Sequence, residues 1–454
     1  MSTATRRRTG RTTAREPGAS QRQRSNGQPS PAPAGAPGAP GNGPSTATPR
    51  PLSRTSRVGP FQLRQLVLVE VALATAAVGV ALGGLWLVPT LAVACALVLL
   101  AVIRRRGHAV QDWISTALAL RARNRASGRF ARGEQDVDPS LAPVAESVPG
   151  FGPFTYIDRD RRTVGMVGDG TFLTAVVRVE ASGDALRPAF GARALSLSLL
   201  GGALEVDDIV VESVQLVQQV RSAPAPHLPQ QSVARLSYAP LQERTGAPAL
   251  RMTWVAVKLD PELCREAVEA RGGGIEGAQR CLVRVADHVA SRITGAGFRT
   301  VVLDQEELNS TVATSACANP TQSARAGRPD TAPHRRTAET ARVWRCDDRR
   351  HTTYAVARWP ELGPGETPLP QLVSLLTAVP AYATTFSITL RQGARRGATT
   401  MHGHVRITGG SDSELIGVRA ALEQAARSAK VGLVRLDREQ LPGALATLPL
   451  GGAR

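Results

Sequence analysis

The stretch from Cys346 to His351 holds the residue types of a nucleophilic site. Cys346 supplies a thiol, Asp347 a carboxylate and His351 an imidazole, and such groups together activate cysteine nucleophiles in enzymes. However, Asp348 and several arginines surround them in a pattern that is typical of a strand–turn–strand segment. We therefore expect a charged hairpin tip here rather than a catalytic centre.

A second possible site lies at His402 and His404, whose spacing places both imidazoles on one face of a strand. A metal ion could bridge them, but no cysteine or carboxylate accompanies them in the sequence. A partly exposed strand face explains the pair better. Asp158 and Asp160 are typical of a solvated turn rather than of paired catalytic acids. The sequence therefore predicts no catalytic residue, no cofactor-binding residue, no cofactor and no metal ligand.

Glycine-rich segments are candidates for phosphate-binding loops. Neither Lys258 nor Lys430 follows a glycine, so the pattern of a nucleotide-hydrolysing loop is missing. The run from Gly272 to Gly277 does not follow a strand directly and lacks dinucleotide-binding spacing, so it predicts an interruption between two helices. Gly168-Asp169-Gly170 lies between two β-like runs and predicts a hairpin turn.

The positive charge of the chain is concentrated in two blocks. The formal charge is +18, to which residues 1–58 contribute +9 (ten Arg, one Glu) and residues 104–132 contribute +7 (eight Arg, one Asp), leaving +2 after Arg132. This distribution excludes a uniformly basic nucleic-acid-binding domain, and an aromatic content of 4% argues against base-stacking platforms. The five cysteines are widely spaced and predict neither a disulfide framework nor a zinc site.

Between the two basic blocks the sequence predicts a transmembrane helical hairpin over residues 59–103. Its helices would cover about 63–82 and 85–103, and Gly83-Gly84 would reverse the chain. A spanning helix needs about 20 mainly apolar residues, whereas a buried hairpin of a soluble domain, the alternative, would show a polar stripe. Glu70, the acidic residue of the first run, is interpreted either as an interfacial side chain near Arg64 or as a contact to another membrane helix.

The arginine blocks also predict the topology. Positively charged flanks remain cytoplasmic, so both termini are expected inside a multi-pass protein of the plasma membrane. Residues 1–58 are too poor in large apolar side chains to fold and are expected to be a disordered basic tail. Residues 104–132 predict a basic amphipathic helix, which either lies at the inner membrane surface or packs its apolar stripe onto the domain that follows.

The remainder of the chain predicts an α/β (α+β) cytoplasmic domain. After a linker at 133–163, units at 164–316 and 342–450, joined by a linker at 317–341, each follow the order strand, helix, strand, strand, helix, strand, that of a split β-α-β motif. In each unit the last strand is followed by an Asp, Asp304 or Asp437, which is expected to cap a terminal helix. Duplication and chance similarity both remain open. The loop 222–248 contains apolar residues that a solvated linker would not need.

Several long segments resemble the EccE family, a membrane component of type VII (ESX) secretion machinery in actinobacteria, and the streptomycete members most closely. The segments are RRTVGMVGDGTFLTAV (161–176), APAPHLPQQSVARLSYAPLQ (223–242), RMTWVAVKLDPELCREAVEARGGG (251–274), TSACANP (314–320), RTAETARVWRCDDRRHTTYAVARWP (336–360) and RLDREQLPGALATLPLGG (435–452). The resemblance implies a structural subunit assembled with EccB, EccC (the ATPase) and EccD. It implies no catalytic residues, because none are established for the family.

The expected function is thus a non-catalytic scaffold that stabilises an export complex in contact with membrane lipid and without nucleic acid. Two other classes remain as alternatives. One is a membrane-tethered enzyme with an unrecognised site around Cys346 or Asp347, and the other is a cytoplasmic ligand-sensing module. A catalytic pocket should gather an acid, a base and a nucleophile with shifted pKa values, and the sequence shows no such grouping.

Overall fold

The structure is a computed structural model, and all its described residues belong to one unit, Thr46–Arg454. It describes residues 50–51, 63–84, 87–102, 104–105, 108–130, 138–181, 194–221, 231–233, 236–238, 240, 250–328, 334–362, 368–395 and 398–452. The tail predicted at 1–58 lies outside these residues except for the short strand β1 (Arg50–Pro51).

A helical hairpin precedes the α/β domain. Helix α1 (Leu63–Leu82) packs against α2 (Leu87–Val102), and Gly83 and Gly84, both with positive φ, reverse the chain between them. The helices approach closely at Gly79, where an added Cβ would lie 1.9 Å from Oγ1 of Thr90. Two short strands, β2 (Arg104–Arg105) and β3 (His108–Ala109), lead into helix α3 (Val110–Phe130).

The first half of the domain runs from α4 to α8. Its elements are α4 (Ala142–Ala145), β4 (Gly152–Ile157), β5 (Thr163–Gly168), β6 (Leu173–Ala181), α5 (Leu197–Gly201), β7 (Glu205–Val206), β8 (Ile209–Val210), β9 (Ser213–Arg221), β10 (Leu250–Leu259), a 3-10 turn (Pro261–Cys264), α6 (Arg265–Ala270), α7 (Gly274–Gly295), β11 (Phe298–Val302) and α8 (Gln305–Ala316).

The second half follows from α9 to α12. Its elements are α9 (Pro320–Ala326), β12 (Thr337–Glu339), β13 (Trp344–Cys346), β14 (Arg349–Arg358), α10 (Leu369–Thr377), β15 (Ala383–Gln392), β16 (Thr399–Gly409), α11 (Asp412–Ser428), β17 (Gly432–Arg435) and α12 (Gln440–Leu445).

One large sheet, antiparallel apart from its pairing with β1, runs through both halves. In the described part of the chain it has 13 strands, with β12-β13-β14-β16-β15-β9-β10-β6-β5-β4 as its main path and β11 beside β6, β17 beside β14. Four strands of the first half lie side by side in the order β11-β6-β10-β9. Four strands of the second half lie in the equivalent order, β17-β14-β16-β15. The halves join where β9 pairs with β15, for example at Val217 opposite Ser387.

Both faces of the sheet are covered, because successive side chains of a strand point to opposite faces. In β10, Val255 and Val257 pack under the face that carries α5, α6, α7, α10 and α11. Trp254 and Ala256 pack under the other face, with α4, α8 and α12. The mixed α/β class predicted from the sequence is therefore confirmed, with an antiparallel sheet.

Both segments predicted as linkers contain regular structure. The predicted linker at 133–163 contributes α4 and β4 within its described residues, because Leu141, Val144 and Phe151 are buried under the sheet. The predicted linker at 317–341 likewise contains α9 and β12. The hairpin turn predicted at Gly168-Asp169-Gly170 is present and joins β5 to β6.

The two aspartates expected to cap helices behave differently. Asp304 caps α8, since its Oδ1 accepts the backbone N–H of Glu307 at 2.8 Å. Asp437 does not cap α12, which begins three residues later. Its carboxylate instead accepts hydrogen bonds from Nε and Nη2 of Arg435, at 2.5 and 3.0 Å. Because an arginine two positions before Asp437 captures the carboxylate, the helix starts at Gln440 without a side-chain cap.

A segment without regular structure, residues 446–452, crosses the junction of the two halves, and we call it the strap. The hydroxyls of Ser213 (β9) and Ser387 (β15) donate to its carbonyls of Gly451 and Ala446, at 2.6 and 2.8 Å. Gln215 both donates to Ala446 and accepts from Gly451, each at 2.8 Å. Gly451 has φ +84°, and an added Cβ would lie 2.3 Å from Cβ of Lys258. The strap therefore fits only because glycine occupies this position.

Candidate functional site

Cys346 and His351 lie inside the domain, on neighbouring strands of one hairpin. Both are fully buried. The imidazole of His351 shares a hydrogen bond of 2.9 Å between Nδ1 and Oγ1 of Thr408, and its ring lies 4.8 Å from the ring of Trp344. The predicted strand–turn–strand is therefore confirmed, but these two side chains lie in the core and are not part of a charged tip.

The carboxylate of Asp347 serves a structural contact. It accepts hydrogen bonds from Nε and Nη2 of Arg336 at 2.8 and 2.7 Å. It also accepts a hydrogen bond from the backbone N–H of Asn319 at 2.7 Å. The Asp347–Arg336 pair is almost fully buried. A carboxylate that orients a catalytic imidazole must bond to that imidazole, but Asp347 is bonded to Arg336 and Asn319.

The protonation of the thiol and the imidazole also opposes nucleophilic chemistry. Burial raises the pKa of the Cys346 thiol, and the nearby Asp347 raises it further. Burial lowers the pKa of His351, and the positive charge of Arg406 lowers it further. Both groups are thus held neutral, while a cysteine nucleophile needs a thiolate, which a nearby positive charge stabilises. The geometry favours a packed core position for both residues.

The two histidines of β16 lie on one strand face, as their alternation predicts. His404 is opposite Ser387 and His402 is opposite Thr389 of β15. Nowhere in the described ranges do three His, Cys, Asp or Glu side chains gather as metal ligands would. Asp158 lies in the turn between β4 and β5, where it is 3.8 Å from Arg162. None of these residues is brought to Cys346 by a contact that the structure shows.

A buried polar network around Arg336 has no counterpart among the sequence predictions. In addition to binding Asp347, Nη1 of Arg336 donates to the carbonyl of Pro139 at 2.6 Å, and Nη2 donates to Ser323 at 3.0 Å. Glu146, at the end of α4, accepts the backbone N–H of Arg336 and both the N–H and the hydroxyl of Thr337. The network ties α4 and α9 to the start of β12, and its partners are too distant in sequence to be recognised as a pattern.

Arg406 of β16 is a second buried arginine, with no exposed surface. Its Nη2 donates to the carbonyl of Ser315 and to Oγ1 of Thr385. Burial lowers the pKa of Arg406. It belongs to a polar layer beneath the strap and the end of α8, to which Gln219 of β9 also contributes a hydrogen bond to Ser315. The centre of the sheet is therefore fastened by polar contacts on this face.

Helix α3 docks on the edge of the sheet through one ion pair. Arg123 donates from Nε and Nη2 to the two carboxylate oxygens of Glu339 in β12, at 2.8 and 3.0 Å. Nη2 also reaches the carbonyl of Arg438, and the carboxylate accepts the N–H of Leu441. Glu339 therefore joins α3, β12 and α12. Neighbouring Asn124 adds a bond to the carbonyl of Glu339 at 3.3 Å.

The apolar stripe of α3 faces away from this contact. Ile114 and Leu118 are exposed, and at about 100° per residue Leu118 lies about 140° around the helix from Arg123. The structure thus has a helix at the position predicted for the amphipathic segment, from Val110 to Phe130. The alternative that the stripe packs onto the domain does not hold for Ile114 and Leu118.

The hairpin exposes apolar side chains on both of its helices. The large exposed apolar residues are Val71, Leu73, Val78 and Val80 of α1 and Leu87, Val88, Leu91 and Val93 of α2. Glu70 is exposed on α1. Over the residues that the structure describes, no helix has both the length and the apolar character required to cross a bilayer. The predicted pair of spanning helices is therefore not confirmed.

Part of the loop 222–248 is also described. Val233, Leu236 and Tyr238 of the segment 222–248 are exposed by 79%, 63% and 51%, so these apolar side chains are not covered by the domain. Apart from residues 231–233, 236–238 and 240, positions 222–249 lie outside the described residues.

Comparison with known proteins gives one family. Residues 247–356, from the start of β10 into β14, match the family described as "Putative type VII ESX secretion system translocon, EccE". This segment contains Arg336, Glu339 and the Cys346–His351 hairpin. No curated protein matches the chain. The resemblance to the EccE family is thus confirmed, and the match that confirms it covers residues 247–356.

Proposed function

We propose, from the premise that this segment is of the EccE type, that the chain is a membrane-anchored scaffold subunit of a type VII secretion complex. The hairpin would insert into the plasma membrane with both termini and the α/β domain on the cytoplasmic side. The domain would contact EccB-, EccC- and EccD-type subunits, of which EccC supplies the ATPase. The EccE family is a component of secretion systems and is not a known enzyme family.

The observation that carries this proposal is the apolar exterior of the hairpin. Leu73, Val80 and Val88 are exposed by 67%, 70% and 73%, and large contiguous apolar surfaces are rare in proteins surrounded by water. The sequence run 85–103 is uncharged and extends beyond α2 at both ends. Arginines at 104–106 follow it directly, as expected for a cytoplasmic flank.

The buried state of the chemistry-bearing residues supports a scaffold rather than an enzyme. Cys346 and His351 are neutral, and Asp347 is bound to Arg336. We propose that these residues stabilise the fold of the domain, and that no polar side chain of this hairpin takes part in catalysis.

The equal strand order of the two halves supports the further proposal that they are repeats of a split β-α-β unit. We retain 164–316 and 342–450 as the boundaries of the repeats. The elements α4, β4, α9 and β12 lie outside these boundaries and are not part of the repeated unit. Superposition of β6, β9, β10 and β11 on β14, β15, β16 and β17 tests this proposal. A superposition that matches the four strands but leaves α7 and α11 at different positions along them would contradict it.

Membrane insertion is tested with the variant Val93→Arg, since Val93 is exposed on α2 by 51%. An arginine near the bilayer centre costs about 2.5–3.5 kcal/mol on insertion scales. We expect the wild-type chain to remain in carbonate-washed membranes and to copurify with EccB-, EccC- and EccD-type subunits. The variant should lose both properties. The matched control is Ile157→Arg, because Ile157 is an exposed apolar residue of β4.

Extraction of the wild-type chain by carbonate, or full retention of Val93→Arg, would contradict membrane insertion. The enzyme alternative is tested separately with Cys346→Ala, for which export and complex assembly are scored together. If export stops while the complex stays intact, the enzyme replaces the scaffold as the better proposal. Unchanged export with an intact complex supports the scaffold.

A further inference from the structure

An open groove of about 460 Å³ lies between the β12–β13 edge of the sheet and the first turns of α11. Arginines dominate its lining: Arg342, Arg345, Arg350 and Arg419. Asp412 is the one carboxylate among the residues that line it. The groove is separate from the Arg123–Glu339 contact, although β12 contributes to both.

Two of the groove arginines, Arg342 and Arg345, are not neutralised by a carboxylate in the described part of the domain. Arg345 is directly opposite Arg350 in the pairing of β13 with β14, and like charges at opposed positions of a sheet repel each other. Asp412 is 3.3 Å from Nε of Arg350. No described carboxylate pairs with the exposed side chains of Arg342 and Arg345.

The inner end of the groove shows the same excess of positive charge. Nη2 of Arg419 donates to Oγ1 of Thr352 at 2.8 Å, while its Nε is buried without a protein partner among the described residues. Burial lowers the pKa of Arg419, and the positive charges of Arg435 and Arg342 also lower it, whereas Tyr354 and Asp412 raise it. An anion in the groove would relieve this repulsion and supply acceptors for the guanidinium groups.

The lining also contains apolar side chains. Ile416, on α11, is exposed by 63%, and the partly buried Val343 lies across from it on the loop before β13. An inorganic anion alone would leave this apolar surface in contact with water. A ligand that covers the groove should therefore combine negative charge with at least one apolar side chain.

We propose that this groove binds an acidic protein segment in which a leucine- or isoleucine-like side chain lies between carboxylates. Its carboxylates would bind Arg342 and Arg345, and its apolar side chain would cover Ile416. Arginine is suited to this role because its guanidinium binds a carboxylate through two parallel hydrogen bonds. The inference goes beyond the scaffold proposal and does not depend on which complex contains the chain.

A nucleic acid fits the groove less well. The net charge after Arg132 is only +2, so there is no extended positive field to hold a polyanion. The lining contains no aromatic side chain on which a base could stack. Lipid headgroups and free phosphate provide charge without the apolar side chain, and both are included as arms of the test.

The full chain in detergent is tested with a library of synthetic peptides in which acidic and aliphatic residues are varied independently. We expect the tightest binding for peptides that combine both, and about tenfold weaker binding when Glu and Asp are replaced by Gln and Asn. The double variant Arg342→Glu/Arg345→Glu should reverse the preference towards basic peptides. Ile416→Ser should reduce the effect of the aliphatic residue and leave the preference for acidic residues.

The control variant is Arg299→Glu, an equal charge change per residue at an exposed position of β11. It should bind acidic peptides as the wild-type chain does. Arg342→Gln/Arg345→Gln, monitored by circular dichroism, separates loss of charge from loss of folding. Both arginines are exposed, so the fold should be retained.

Three results would overturn the proposal. The first is equal binding of acidic peptides and their amide counterparts. The second is displacement of the peptides by inorganic phosphate as effectively as by a second acidic peptide, because that would indicate a simple anion site. The third is stronger binding to phosphatidylglycerol vesicles that is lost in Arg342→Glu/Arg345→Glu, because that would indicate a lipid site. None of these results bears on the hairpin, so the scaffold proposal would be unaffected.

Discussion

Arg123 and Glu339, 216 residues apart in the chain, form a bidentate ion pair that fixes helix α3 to the sheet. The Glu339 side chain is 2% exposed and that of Arg123 is 25% exposed. The carboxylate of Glu339 is thus shielded from water, and it also accepts a hydrogen bond from the N–H of Leu441. This contact joins the segment that follows the hairpin to the α/β domain.

Replacement of Arg123 by Met should release α3 from the domain. Glu339 would remain buried without its counter-ion, so we expect a loss of about 3 kcal/mol, the lower end of the range for broken buried pairs. Hydrogen–deuterium exchange of residues 114–127 should accelerate more than exchange of the sheet. Arg121→Met, an exposed neighbour on the same helix, serves as control. Equal exchange in both variants would show that the ion pair does not hold α3.

Replacement of either partner of the buried Arg336–Asp347 pair should destabilise the domain strongly. We expect Arg336→Met and Asp347→Asn each to lower the free energy of unfolding by about 3–5 kcal/mol, because each leaves a buried group without its partner. The double variant should lose less than the sum of the two. Urea unfolding of all variants gives the coupling, and additive losses would contradict it. Arg284→Met, at an exposed ion pair, should change little.

Replacement of Gly451 by Ala should displace the strap. The added Cβ would meet Cβ of Lys258 at 2.3 Å, and the backbone has φ +84°. We expect a loss of about 1–3 kcal/mol, from strain and from weakened bonds to Ser213 and Gln215. Gly295→Ala is the control, since an added Cβ there meets nothing within 4 Å. Thermal unfolding should separate the two variants, and equal midpoints would argue against a role of the strap.

The stability of the domain should decrease in mild acid because of His351. Its folded pKa is lowered by burial and by the charges of Arg406 and Arg349, so below about pH 6.5 the unfolded chain takes up a proton that the folded chain excludes. The stabilising contribution is present above the unfolded pKa and is lost as the pH falls towards the folded pKa. The slope from this group approaches about 1.4 kcal/mol per pH unit.

Urea unfolding at about pH 7.5 and about pH 5.5 measures this effect. His351→Phe should reduce the difference in unfolding free energy between the two conditions. His334→Gln, at an exposed histidine, should leave that difference unchanged. An unaltered difference in His351→Phe would show that other groups cause the acid sensitivity.

The order of strands and helices can be predicted because it depends on local patterns. The runs around Val255, Ile388 and Val405 have the composition of buried strands, and α7 and α11 show helical periodicity with glycine or serine at their starts. The Gly272–Gly274 interruption is predictable because consecutive glycines end a helix, and all three have positive φ.

The pairings between distant segments cannot be predicted in this way. The junction of β9 with β15 and the strap across it depend on hydrogen bonds between residues far apart, such as Ser387 and Ala446. The segment around Leu141 is rich in proline and the segment around Arg336 is rich in polar residues, and both compositions are typical of linkers. Their burial depends on partners supplied by other elements. The groove arginines likewise come from separate elements.

The length of α3 between its apolar stripe and its ion pair has a geometric consequence. Leu118 and Arg123 are separated by five positions of one continuous helix. The angle between their side chains around the helix axis therefore depends only on the number of residues between them. A single residue inserted between them would turn the stripe by about 100° and move it by about 1.5 Å relative to Glu339. The number of residues in this part of α3, rather than their identity, therefore sets the direction in which the stripe points.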